Sequence, residues 1–316
     1  MSLDLYETLH AILDVLRSEA IAPIPVDILS EIDAKTIEIN NQITGFDRHD
    51  YSICFFHVPP HENSSVISTF DIKKWDLKSI DFVRLVKLAL RVCKWSNPRA
   101  HVVLFTDDSF LADFNDSAVE IVRLKIDPTQ LMFERVKCMV SAVFSKLAAR
   151  PIIFLDSDAL VAAELPINIL DGLDILLTHR HDLLMVPVNE GVICVNQKRS
   201  AYARRFFWRY LSSYLRLIDD PRIQAIYPNI KFWRGGQLAV NAAVGGLARY
   251  RDGVQVVDGI RVGFYPTSRM NLSVQSPKYI SANLWSQSPI VHLKGGRKIA
   301  IAQFEDALRE LGFCEQ

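Results

Sequence analysis

The chain has 316 residues, 49% of them apolar, which suits one large α/β domain or two small ones around a substantial core. Lys plus Arg and Asp plus Glu number 36 each, so the net charge is zero and no global electrostatic pull toward nucleic acid or anionic membranes is expected. The five cysteines, Cys54, Cys93, Cys138, Cys194 and Cys314, lack the CxxC or Cys/His spacing of a zinc site. Four of them sit among apolar residues and read as buried free thiols, the pattern of a reducing compartment and a cytoplasmic protein. Met1-Ser2-Leu3-Asp4 does not open a basic region followed by an apolar run, and no stretch of about 18 apolar residues runs uncharged. Neither a signal peptide nor a transmembrane helix is expected.

Leu5, Leu9, Ile12, Leu13 and Leu16 line one face of an amphipathic helix over residues 1–18, broken by Pro23 and Pro25. A second helical pattern over 26–40 carries Ile28, Ile32 and Ile37. Residues 1–45 therefore read as a small helical appendage to a main domain over 46–316. The appendage would pack on that domain or serve as an oligomer contact. The main domain begins with apolar strands at 51–58 (YSICFFHV), 100–106 (AHVVLFT), 118–126 and 151–155 (PIIFL). Helical patterns at 79–95 and 130–148 lie between them, and Arg150-Pro151 ends the second. Continuous apolar strands alternating with helices predict an α/β fold with a mostly parallel central sheet flanked by helices. Strands at 174–178 and 191–196 follow, then an aromatic-rich helix over 199–217 and a short helix over 237–244. Turns and short strands fill 252–292, and a helix over 299–311 closes the chain.

The strongest local feature is Ile152-Ile153-Phe154-Leu155-Asp156-Ser157-Asp158. Asp156 and Asp158 leave the C-terminal end of a buried strand, where open α/β sheets place ligands. Such a pair suits a hard cation, Mn²⁺ or Mg²⁺, shared with water and phosphate oxygens. Asp and Ser also favour turns and helix N-caps, which is the alternative. In Val291-His292-Leu293-Lys294-Gly295-Gly296-Arg297-Lys298, His292 can complete a metal site and Lys294 can neutralise a diphosphate. Gly295 and Gly296 let backbone N–H groups approach it; a solvated basic turn is the alternative. Asn189-Glu190-Gly191-Val192 can expose backbone to a sugar or form a β-bulge. Gly235-Gly236-Gln237 with Asn241 sets polar groups at the mouth of a short helix. His179, Arg180, His181 and Asp182 cluster at a strand end and are costly to bury without partners. Arg180 and Asp182 would line a substrate pocket there, or a solvated loop.

Taken in order, these motifs resemble the GT-A glycosyltransferases, and most the glycogenin-type and galactosyltransferase-type enzymes of family eight. Phe133-Glu134-Arg135 fits their aromatic-x-Arg segment, and Leu155-Asp156-Ser157-Asp158 their LDSD run. Asn189-Glu190-Gly191-Val192 fits their Asn-x-Gly-Val, and His292, Gly295 and Lys298 their His-x-x-Gly-x-x-Lys. Gly236-Gln237 with Asn241 resembles their Asp-Gln element, with Gly236 where the family has Asp. The first strand runs into His57-Val58-Pro59-Pro60-His61-Glu62-Asn63, unlike the family's short Asp/Tyr-bearing loop. The resemblance spans about residues 50–300 and marks a divergent relative.

The resemblance implies transfer of a sugar from a nucleotide-sugar, with UDP as the nucleotide and retention of anomeric configuration, to a glycan, lipid or protein acceptor. It implies metal ligation by Asp158 and His292, with Asp156 on the metal or the ribose. Arg135, Lys294, Gly295 and Lys298 would face the nucleotide phosphates, and Gln237, Asn189 and Gly191 the sugar. Two alternatives stand beside it. A sugar nucleotidyltransferase would carry a glycine-rich basic loop after the first strand, and residues 57–65 contain no glycine. A catalytically silent nucleotide-sugar-binding domain is the other.

Overall fold

The computed structural model describes residues 23–59, 81–110, 118–180, 187–228, 230–231, 235–245, 253–274, 276–293, 298 and 300–314. The helix expected over 1–18 lies outside the described residues. The first described helix is α1 (Val26–Gln42), followed by β1 (Tyr51–Phe56). Next come α2 (Phe82–Ser96), β2 (Ala100–Thr106), β3 (Val119–Arg123), α3 (Leu131–Phe144), β4 (Ile152–Asp156) and β5 (Ala159–Val161). The second half runs through β6 (Ile175–His179), β7 (Val188–Val195), α4 (Ser200–Asp219), α5 (Pro221–Ile226) and α6 (Gly235–Ala243). It continues with β8 (Gly253–Val257), β9 (Ile260–Pro266), α7 (Thr267–Met270) and β10 (Leu272–Ser273). The last elements are α8 (Leu284–Gln287), β11 (Ile290–His292) and α9 (Ile301–Glu310).

Eight strands form one sheet in the order β3-β2-β1-β4-β7-β6-β9-β8. The half from β3 to β4 is wholly parallel, as the alternation of strand and helix predicted. The other half is mixed: β7 runs antiparallel between β4 and β6, and β8 antiparallel to β9, while β6 and β9 are parallel. A strand buried on both faces shows the same apolar run whichever way it points, so the reversal of β7 leaves no mark on the sequence. A second sheet, β10-β11-β5, packs beside the first and rests on strands too short to show periodicity.

Helices cover both faces. On one, Phe133, Val136 and Val140 of α3 and Phe206, Phe207 and Tyr210 of α4 pack with Phe154, Leu177 and Ile193 of the sheet. On the other, Leu85, Ala89 and Val92 of α2 and Phe304 and Leu308 of α9 pack against Ile53, Leu155 and Cys194. Cys54, Cys93, Cys138 and Cys194 are buried and Cys314 is exposed, all as free thiols. Among the described residues no helix is long and apolar enough to cross a membrane.

Local chemistry sets the ends. Asp81 caps α2, its carboxylate accepting from the Arg84 backbone N–H at 2.8 Å. The helix expected over 130–148 stops at Phe144, and residues 146–149 tighten into a 3₁₀ turn in which Ser145 Oγ accepts from the Leu147 N–H. Helix α1 lies on α3 with Ile32 and Ile39 buried in the core of the sheet's first face. Beneath it Glu134 lies 3.1 Å from Lys35 and 2.6 Å from Lys137, and Lys137 reaches Glu31 at 2.5 Å. Cations and carboxylates thus alternate from the exposed Glu31 to the buried Lys137, Glu134 and Lys35.

Candidate active site

Asp156 ends β4 and sits beside the start of β7, because the two strands are antiparallel and their register closes at Leu155 opposite Val192. Here β7 bulges. Leu177 faces Ile193 while the next residue of β6, Thr178, faces Asn189, so residues 190–192 have no partner on β6. The bulge turns Asn189, Glu190 and Gly191 toward the end of β4. On the other side β11 runs antiparallel to β5, setting His292 opposite Ala159, and the Leu293 N–H donates to the Asp158 carbonyl at 2.9 Å. The metal-ligand residues read from sequence therefore meet. One ligand atom from each of Asp156, Asp158 and His292 lies within 4.8 Å of the others. His292 Nε2 is 2.9 Å from Asp158 Oδ1 and 3.4 Å from Asp156 Oδ2.

Gly191 is required at this junction. A Cβ there would lie 2.6 Å from His292 Cε1 and 2.7 Å from Asp156 Oδ2. That is closer than any side chain can sit without moving the cluster.

A chain of hydrogen bonds fixes the His292 ring. The Gly191 N–H can only donate, and it donates to Asn189 Oδ1 at 2.8 Å. Asn271 Nδ2 donates to the same oxygen at 3.3 Å, so Asn271 turns its Oδ1 to His292 Nδ1 at 3.1 Å. His292 Nδ1 must then carry the proton. Its Nε2 points at two carboxylates. That arrangement is repulsive unless a proton or a metal ion lies between them. An N,O,O donor set with an oriented imidazole fits a divalent cation such as Mn²⁺ or Mg²⁺.

Two cations flank the carboxylates. Lys298 Nζ lies 2.8 Å from Asp158 Oδ2. Burial pushes the Asp158 carboxyl up, but Lys298 and His292 outweigh it and hold the group well below the usual carboxylate range. Arg135, buried on α3, lies 2.8 Å from Asp156 Oδ1 and 2.5 Å from Glu190 Oε1. Burial works against its charge, and Asp156 and Glu190 more than restore it. Glu190 also accepts from the Tyr210 hydroxyl at 2.7 Å. Burial, with Asp156 adding to it, raises the Glu190 carboxyl although Arg135 and Tyr210 oppose.

The remaining predicted residues are spread around this centre. Gln237 is half-buried in the first turn of α6, its carbonyl accepting from Asn241 Nδ2 at 2.7 Å. Asn241 in turn clamps Val188, accepting from its N–H at 3.1 Å and donating to its carbonyl at 3.2 Å. Arg180 follows β6 at the same edge of the sheet, its N–H donating to Pro187. Lys294, Gly295 and Asp182 lie outside the described residues. Sequence reasoning passed over Asn271, which sits in a region of short turns, and Tyr210, which reads as one more core aromatic of α4. It also left out His57 as a site residue, just beyond β1. The His57 ring is buried, its Nδ1 3.3 Å from Ser157 Oγ and its Nε2 without a partner among the described residues. Burial, aided by Lys298, lowers its pKa to about 4.

No protein-family model matches the chain. No curated protein matches it either. Among solved structures it is similar to the apo form of WbbM, a bifunctional glycosyltransferase, at 9% identity and a TM-score of 0.45, over 86% of this chain and 52% of that one. It is also similar to the glycosyltransferase GlyE of Streptococcus pneumoniae TIGR4, at 12% identity and a TM-score of 0.42, over 84% of this chain and 63% of that one. A third is the galactosyltransferase LgtC in complex with donor and acceptor sugar analogs, at 10% identity and a TM-score of 0.42, over 84% of this chain and 98% of that one. The chain thus spans about half the length of WbbM and less than two thirds of that of GlyE.

Proposed function

We propose that the chain is a metal-dependent glycosyltransferase that moves a sugar from a UDP-sugar to an acceptor hydroxyl with retention of anomeric configuration. The observation that carries this reading is the meeting of His292 Nε2, its ring oriented by Asn271, with the carboxylate oxygens of Asp156 and Asp158. The order of the five motifs along the chain supports it. When bound there, a divalent cation would act as a Lewis acid on the donor's diphosphate.

The bond from the anomeric carbon to the diphosphate oxygen breaks, and its electron pair leaves with the diphosphate. The acceptor oxygen forms the new bond and gives up its proton to the departing diphosphate. Charge therefore grows on the leaving oxygens, so groups aimed at them stabilise the transition state more than the ground state. Lys298, already at the Asp158 carboxylate, would neutralise the phosphates. Arg135 holds Asp156 from behind. Asn189, Gly191 and Gln237 would contact the sugar, and Arg180 the acceptor.

A thermal-shift screen of nucleotides and nucleotide-sugars with and without Mn²⁺ tests this. A ligand that binds the native state raises the melting temperature by mass action. UDP and UDP-sugars should do so only with the metal, and the protein should then release UDP slowly from a UDP-sugar. Tight binding without turnover would point to a silent binding domain, and no response to any nucleotide would refute the reading.

A further inference from the structure

Gly236 is buried in the first turn of α6, and its missing side chain matters. A Cβ built there overlaps the Glu190 carboxylate, with Glu190 Cδ at 2.5 Å. No backbone conformation demands glycine at this position, since Gly236 is not among the residues with positive φ. The glycine is needed for space, and the space is taken by a carboxylate that arrives from another element. Glu190 reaches it from the β7 bulge, on the strand next to β4.

The carboxylate is poised to bind something. Oε1 takes the Tyr210 hydroxyl and faces Arg135, which also holds Asp156. Both oxygens lie against Gly236, and among the described residues nothing donates to Oε2. Arg135 thus ties this carboxylate to the metal-ligand cluster through one guanidinium, so a ligand seated on Asp156 has Glu190 as its neighbour. The chemistry of a carboxylate oxygen with open lone pairs matches the hydroxyls of a sugar.

We propose that Glu190 is a specificity-determining carboxylate that binds hydroxyls of the donor sugar, and that Gly236 is the space it requires. The proposal rests on the reading of the Asp156–Asp158–His292 cluster as a nucleotide-sugar site. Glu190 and Gly236 then act as one unit: a carboxylate at the mouth of α6 can be delivered from residue 190 or from residue 236, but not from both.

Transposing the carboxylate tests this. With the full chain and Mn²⁺, calorimetry would measure UDP against UDP-glucose, UDP-galactose and UDP-N-acetylglucosamine. Glu190→Gln should weaken the preferred UDP-sugar about tenfold or more, the scale of one charge-assisted hydrogen bond, and UDP by less than about twofold. Gly236→Asp alone should be as damaging as Glu190→Gly alone, and the double variant Glu190→Gly/Gly236→Asp should regain most of the sugar affinity. A second measurement stands apart from ligand binding. Gly236→Ala should lower the melting temperature of the parent chain and leave that of Glu190→Gly nearly unchanged. Equal loss of UDP and UDP-sugar in Glu190→Gln, or a double variant no better than either single one, would overturn the proposal while leaving the donor site standing. A parent protein that binds no nucleotide at all would overturn the donor-site reading and this inference with it.

Discussion

Asn271 Oδ1 lies 3.1 Å from His292 Nδ1, and this bond decides which nitrogen of the ring faces Asp156 and Asp158. The decision is made by backbone: the Gly191 N–H sets Asn189, Asn189 sets Asn271, and Asn271 sets the imidazole. A residue with no ligand role thereby orients the ring that faces both carboxylates.

Replacing Asn271 by Leu removes the acceptor for His292 Nδ1 and leaves the ring free to choose its tautomer. Mn²⁺ affinity should fall about 10- to 100-fold, the usual cost of losing the hydrogen bond behind a metal-binding histidine. Metal titration followed by melting temperature measures this. Unchanged affinity would show that the ring is oriented by packing alone.

Arg135 is the cation shared by Asp156 and Glu190. Arg135→Leu leaves both carboxylates facing each other, and chemical denaturation should show a loss of about 3–5 kcal/mol, the cost of breaking a buried pair from one side. Adding Glu190→Gln to Arg135→Leu should recover part of that loss, because one of the two stranded charges is gone. Strict additivity of the two substitutions would mean that the charges do not interact.

His57 gives the fold a pH dependence of known sign. Its folded pKa of about 4 lies below the ordinary histidine value, so between the two the unfolded chain takes up a proton that the folded chain refuses. Stability contributed by the neutral ring is therefore full above about pH 6.5 and falls as pH drops toward 4, by an amount on the order of 3 kcal/mol. His57→Gln should flatten that fall. Parallel stability curves for the parent and the variant would assign the acid sensitivity to other groups.

Much of this centre was legible as local pattern. Four apolar residues ending in Asp156-Ser157-Asp158 announce a strand that delivers carboxylates to its end, and His292 follows an apolar pair in the same way. What joins them was not legible. The encounter of Asp156 with Gly191 depends on β7 running antiparallel beside β4, and a doubly buried strand does not show its direction. The role of Glu190 depends on space at Gly236, far along the chain. The resemblance assigned Arg135 to phosphate, but its guanidinium is buried between two carboxylates, a pairing that only the packing of α3 on the sheet reveals. Asn271 carries no signal at all in a run of turns.

The central claim is that Asp156, Asp158 and His292 hold a divalent cation through which a nucleoside diphosphate binds. Calorimetric titration of UDP into the parent chain and into Asp158→Asn, each with Mn²⁺ and with chelator, tests it most directly. Asn keeps the shape of the side chain and removes its charge, so the fold should persist in both. The account predicts UDP binding in the parent only with Mn²⁺, and a loss of at least about 100-fold in Asp158→Asn, the scale for removing one electrostatic stabiliser. UDP binding by the parent that is indifferent to chelator, or that survives unchanged in Asp158→Asn, would contradict it.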